Sequence, residues 1–266
     1  MPFDRMWATA FACCCLQHAL LLVSPQPLFP HQRTHKNYTV HMRTQVPGEI
    51  VAVLDRVDAR LAVSELHDPD AHHRIYIVNS LPLARSLLLR NLECSCNLPT
   101  GDTFIASADV ASDVVLCPPP DPPARPTRAL SEVIAHEITH ALVRQHVGWL
   151  ALRQLPDWIE EGYCEYIANG SALDPQVGAA LLRAGAPADT PGLARFQHRL
   201  MIAYLLNVQR LPIDDVLCRP PDYATVAAAV LTGLRTDEAA FLRKLSASTG
   251  LSQAAAAGFS DPVTTR

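Results

Sequence analysis

The sequence predicts an α+β fold, and three observations carry that reading. Strand-like runs crowd the first half of the chain, whereas helical periodicity dominates the second. Hydrophobic residues make up 49% of the 266 positions and charged residues 18%, which is enough apolar material for a packed core. The expected architecture is a small N-terminal mixed β-sheet with helices packed on it, followed by a mostly helical half. Residues 1–37 read as a leader plus linker and residues 38–266 as one domain, with an α/β part over 38–126 and a helical part over 127–266. The net charge of −4 contains no basic excess, so nucleic acid is not an expected partner.

Taken in order, residues 8–23, "ATAFACCCLQHALLLV", form an apolar run that Gln17 and His18 interrupt. It is short for a spanning helix and close in length to a signal-peptide core. The segment reads as an export signal or an uncleaved membrane anchor, implying a periplasmic, extracellular or membrane-attached protein. The alternative is a buried N-terminal helix of a cytoplasmic one. Residues 24–37, rich in Pro, His and Gln, read as a linker. Strands are expected at 38–42, 74–79, 102–109 and 113–117. A helix is expected over 48–66, where Ile50, Val53, Leu54, Val57 and Leu61 share a face, and a short one over 82–91. The proline run at 118–126 excludes regular structure, because proline lacks the donor N–H. Helices follow near 175–184, 193–210 and 236–248.

The eight cysteines include no C-x-x-C pair. In an exported protein Cys94, Cys96, Cys117 and Cys218 are the candidates for disulfides, with unpaired buried thiols as the alternative. The histidines at 31, 35, 41, 72 and 73 lack a partnered spacing and read as surface residues.

Chemistry concentrates in "AHEITHALVRQH", residues 135–146. With Thr127 as N-cap and Gly148 as terminator, residues 128–147 read as one helix. Side chains four apart on a helix lie about 40° apart around its axis, so His136 and His140 point the same way and suit one zinc ion. Glu137 sits beside them, placed to act as a general base. Downstream, "PDWIEEGYCEYI" (156–167) reads as a second helix, opened by a capping box from Asp157 to Glu160. Glu161 and Glu165 share one face of it, with Glu160 off that face. Glu161 is the expected third ligand and Glu165 the acceptor that steers His136; Glu165 and His146 are the alternative ligands. For His146 to reach the metal the helix must break at Val143, a β-branched residue ill-suited to left-handed backbone.

H-E-x-x-H followed by W-I-x-E-G-x-x-E-Y, over residues 131–167, resembles the gluzincin zinc metallopeptidases, in particular their aminopeptidase-like branch and small peptidase MA-like relatives. The resemblance implies a gluzincin-like fold, one zinc ion, Glu161 as third ligand and Glu165 orienting His136. It also implies a hydrolase acting on a peptide or protein substrate. Two departures stand out. The upstream segment "TGDTFIASAD" holds nothing like the G-x-M-E-N of that branch, which grips a free amine. A transition-state donor is not evident either, Tyr204 and His198 being the candidates. A strand at 102–109 or 113–117 is expected to lie beside the motif helix as an edge for an extended substrate. The alternative function is a metal-binding or interaction module that keeps the fold without catalysis.

Overall fold

A computed structural model describes residues 24–80, 82–84, 95–97, 100–116, 128–170, 173–187 and 189–246. The apolar run at 8–23, the proline-rich loop, Thr127, Cys94 and Cys117 lie outside the described residues. Strands β1 (His31–His35), β2 (Tyr38–Met42), β3 (His73–Ile77), β4 (Ser95–Asn97) and β5 (Thr103–Ile105) form one mixed sheet in the order β1-β2-β3-β5-β4. Pairing is parallel for β2 with β3 and for β3 with β5, and antiparallel at both edges. A separate two-stranded ribbon joins β6 (Ala108–Asp109) to β7 (Val114–Val115).

Among the described residues the α-helices are α1 (Ile50–Leu61), α2 (Leu130–Val147), the single turn α3 (Trp149–Leu152), α4 (Asp157–Ala168), α5 (Pro175–Arg183), α6 (Leu193–Ala203), α7 (Ile213–Cys218), α8 (Tyr223–Thr236) and α9 (Glu238–Ser246), and residues 82–84 are also helical, within the short helix expected over 82–91. The α+β class and the order of strands before helices therefore match the expectation. Among the described residues no helix is long and apolar enough to cross a membrane.

The period-2 pattern of the strands divides the sheet into two faces. Tyr38, Val40 and Met42 of β2, with Ile75 and Ile77 of β3, face the main core, where α1 contributes the five residues its periodicity marked. Tyr76 and Phe104 point to the other face. There they stack on each other with ring centroids 4.8 Å apart, beneath Phe29. The linker expectation for 24–37 is corrected by this arrangement. β1 extends the sheet antiparallel to β2, and Phe29 is buried in the second cluster. Its polar composition reflects an exposed edge strand, which uses its backbone and little of its side-chain surface.

The expected strand over 102–109 is two short ones, β5 and β6, belonging to different sheets. In the helical half, α6 runs into a π-helical turn, Tyr204–Val208, which tips Asn207 inward. The buried Asn207 Oδ1 accepts from the Tyr166 hydroxyl at 2.9 Å, and its amide donates to the Leu245 carbonyl, tying α4 to α9. Cys164 and Cys218 are free thiols, buried and exposed respectively.

The surface reading of the histidines holds for His31 and His72 but fails for His41 and His73, which are buried. Sheet registry explains this. His41 stacks on Tyr76 at 4.8 Å and His73 on Tyr38 at 5.6 Å, each as a flat ring in an aromatic row across neighbouring strands. Burial, reinforced by the nearby His67 and His72 and opposed by Asp68, lowers the His73 imidazole to about 4. The folded form thus resists a proton that the unfolded chain accepts below about 6.5. Stability is full above that value and falls as the pH drops from about 6.5 to 4, by on the order of 2–3 kcal/mol from this residue. His73→Phe keeps the stacking and removes the titration. Urea unfolding at pH 7 and pH 4.5 is expected to show a smaller acid loss in the variant; equal losses would exclude His73 as a source.

Candidate metal centre

The site is built at the crossing of α2 and α4. The start of α2 differs from the expected Thr127 cap: the helix begins at Leu130, and Ala129 in the N-cap position makes no side-chain cap. Asp113, from the β6–β7 turn, does the capping across space. Its backbone carbonyl accepts from the Leu130 N–H at 2.9 Å. Its carboxylate accepts from the Ser131 N–H and the Ser131 hydroxyl, both at 2.8 Å, and from Arg56 Nε at 2.9 Å. These bonds satisfy donors that the first turn of a helix otherwise leaves open. At the other end α2 continues unbroken to Gly148, whose φ of +80° breaks the helix.

The capping box expected at Asp157 is likewise replaced. Pro156 holds the N-cap position without a side-chain bond, and Glu160 is engaged elsewhere. At its far end α4 closes on Asn169 in left-handed backbone, with Arg60 donating to the Ala168 carbonyl and Arg199 to Asn169 Oδ1 at 2.6 Å. Two cations thus sit at the negative end of the helix dipole. Gly162 sets how closely α4 can lie on α6, since a Cβ there would stand 2.8 Å from the His198 carbonyl oxygen.

Within this frame the structure brings together His136, His140 and Glu161. Their ligand atoms all lie within 4.8 Å of one another, and they could hold a metal ion. The two Nε2 atoms are 3.2 Å apart. Glu161 Oε1 is 3.5 Å from His140 Nε2, and Glu161 Oε2 is 3.7 Å from His136 Nε2. Glu161 Oε2 is buried without a hydrogen-bond partner. A cation lodged among these atoms would draw a lone pair from each of the three side chains. His136 is 5% exposed, and burial, with the charges of His140 and Arg128, holds its imidazole well below the ordinary value. A neutral ring is the form that binds metals. The Glu161 side chain is about a third exposed, so the centre opens to solvent on that side.

The surrounding groups fall into place residue by residue. Glu137 is buried and accepts a hydrogen bond from Ser95 Oγ on β4 at 2.7 Å; burial raises its carboxyl above the usual carboxylate value. Glu165 Oε1 stands 3.4 Å from His136 Nδ1, and Glu160 Oε1 accepts from His140 Nδ1 at 2.7 Å. The Cys164 thiol lies against His140, and burial pushes it up to about 12, so it stays protonated. His146 points away, its Nε2 bonded to Asp214 at 2.7 Å, so it is not a ligand. His198 lies within reach of the Glu161 charge and edge-on to Tyr223. Tyr204 does not join the centre: its hydroxyl accepts from Gln209 Nε2 at 3.3 Å and its ring leans on Phe241. β5 and β7 both lie beside α2 as expected, but β5 is interior to its sheet and β7 pairs with the chain at Arg128 and Ala129; the edge beside α2 is β4.

No protein-family model matches the chain, and no curated protein is significantly similar to it. The resemblance to gluzincins therefore rests on the sequence motif over residues 131–167 alone.

Sequence reasoning missed Glu160, Ser95 and Arg128. The tandem Glu160-Glu161 carried a usable signal, because two histidine ligands call for two acceptors, and the second carboxylate meets that need. Ser95 and Arg128 have no local signature, since their positions follow from the sheet and from the ribbon.

A methyl group at Gly162 must push α6 away or tilt α4. Gly162→Ala is expected to destabilise the protein by about 1–3 kcal/mol and to weaken metal uptake. Denaturant unfolding and metal titration check this; an unchanged midpoint and unchanged uptake would show that the crossing tolerates the extra volume.

Proposed function

We propose that the chain is a zinc-dependent peptidase in which His136, His140 and Glu161 hold one zinc ion and Glu137 is the general base. The single observation that carries this reading is the buried Glu137 on the turn between two imidazoles that face each other and a carboxylate. Two imidazoles and one carboxylate are a recurring donor set for catalytic zinc. Four ligands at zinc bond lengths lie roughly 3.3–3.4 Å from one another in a tetrahedron, and the separations of 3.2, 3.5 and 3.7 Å suit that spacing. A zinc ion supplies Lewis acidity, polarising a carbonyl and acidifying water.

The residues of the chain account for the rest. Glu137, held by Ser95, takes a proton from the attacking water as its oxygen adds to the scissile carbonyl carbon. It then delivers that proton to the departing amine nitrogen as the C–N bond breaks. Burial suits this role by raising the carboxyl's affinity for the proton. Glu160 and Glu165 face the outer ring nitrogens of the two histidines, so the inner nitrogens present lone pairs. His198, next to Glu161, is the better candidate for donating to the developing oxyanion; the surroundings of Tyr204 do not favour it. β4, at the sheet edge and antiparallel to β5, offers an extended peptide a strand to pair with beside Glu137. A protein with this activity fits export or membrane attachment through residues 8–23.

A metal-binding module without catalysis has no need of a buried base at this position, and the presence of Glu137 favours the enzyme. Purified protein is expected to contain one zinc per chain and to cleave a broad peptide library. Glu137→Gln is expected to keep the zinc while hydrolysis falls at least 100-fold. Equal cleavage by parent and variant would overturn the assignment of the base, and a chain indifferent to chelators would overturn the metal reading.

A further inference from the structure

We propose that Arg128 is a positioning residue for this centre, fixing Glu165 where His136 Nδ1 faces it. The inference rests on the reading of His136, His140 and Glu161 as metal ligands. Nη1 and Nη2 of Arg128 donate to Oε1 and Oε2 of Glu165, each at 3.1 Å, so one guanidinium occupies both carboxylate oxygens side by side. Both partners are shielded, the Arg128 side chain at 16% exposure and Glu165 at 3%. Glu165 Oε1, thus engaged, stands 3.4 Å from His136 Nδ1, a buried nitrogen that makes no hydrogen bond among the described residues, so this carboxylate is the acceptor that faces it.

The placement of Arg128 does not depend on α4. Its backbone carbonyl accepts from the Val115 N–H at 3.0 Å, and Ala129 bridges to Val114, so the residue continues the β6–β7 ribbon as a third line of chain. Two residues later α2 begins. Arg128 therefore spans from the root of the helix that carries His136 to the helix that carries Glu161, and locks the carboxylate one turn beyond Glu161. Arg195 does not replace it: half exposed, it comes no nearer to Glu165 than 3.9 Å. A lysine at 128 keeps the charge but loses the flat fork that grips two oxygens at once. Without that grip the carboxylate is free to rotate, and His136 Nδ1 loses the one carboxylate oxygen that faces it.

The test uses the full chain and the metal alone. Zn²⁺ affinity is measured by chelator competition for the parent, R128K, R128Q, E165Q and the double variant R128K/E165Q, with the visible spectrum of the Co²⁺-loaded proteins as a second readout. R128K and R128Q are expected to bind Zn²⁺ 10–100-fold more weakly, with displaced Co²⁺ bands and a thermal transition that remains cooperative. E165Q is expected to cost a similar factor, and the double variant no more than the larger single loss, because both act through one contact. R128K carries the test if R128Q does not fold. Parent-like affinity with an unchanged Co²⁺ spectrum in R128K overturns the assignment while leaving the metal centre standing. So do losses that multiply in the double variant. A parent that takes up no metal overturns the reading of the centre and the assignment together.

Discussion

Two imidazoles and a carboxylate are held within a few ångströms of one another inside a helix crossing. Everything around them acts to hold them there. Isolated, the arrangement would relax by rotating side chains into solvent. It persists because each of the three side chains is backed: His140 by a hydrogen bond to Glu160, His136 by the facing Glu165 carboxylate, and Glu161 by the course of α4. The helix itself is fixed at one end by Arg60 on the Ala168 carbonyl and Arg199 on the Asn169 side chain, and along its length by the close fit of Gly162 on α6. Buried charge of this kind rarely raises stability for its own sake. A concentration of it at one crossing makes sense as the support of a site that must keep its shape.

The fold class was legible because its signals are local. Alternation in "YTVHM" and the five-residue apolar face of the first long helix depend only on which side of an element meets the core, and both elements lie where the pattern puts them. What could not be read was pairing. Edge strand β1 carries a polar sequence because its backbone makes the sheet while its side chains meet water, so composition suggested a linker. The split of 102–109 between two sheets follows from a turn whose reason is tertiary. Buried His41 and His73 owe their positions to aromatic rows across strands, which no single stretch of chain reveals.

The candidate centre divides the same way. His136, Glu137, His140 and Glu161 follow from spacing on two helices, and a helix geometry once granted fixes their faces. Both expected caps, Thr127 and Asp157, were local answers to a need that the structure meets otherwise: a carboxylate from a distant turn serves the first helix, and a proline opens the second. Glu160 was assigned to backbone capping and serves a histidine. The reverse held for His146, where β-branched Val143 argued for an unbroken helix, and the helix is unbroken.

Asp113 links three parts of the chain at once, reaching Arg56 across 57 positions and Ser131 across 18. Its left-handed backbone, φ +52°, aims it at both. The register of the helix that carries His136 and His140 is therefore set by a residue held in place by the ribbon and by an earlier helix. Closing loops of this length costs chain entropy before any contact returns it. The placement of His136 and His140 thus depends on contacts that reach far along the chain from either of them.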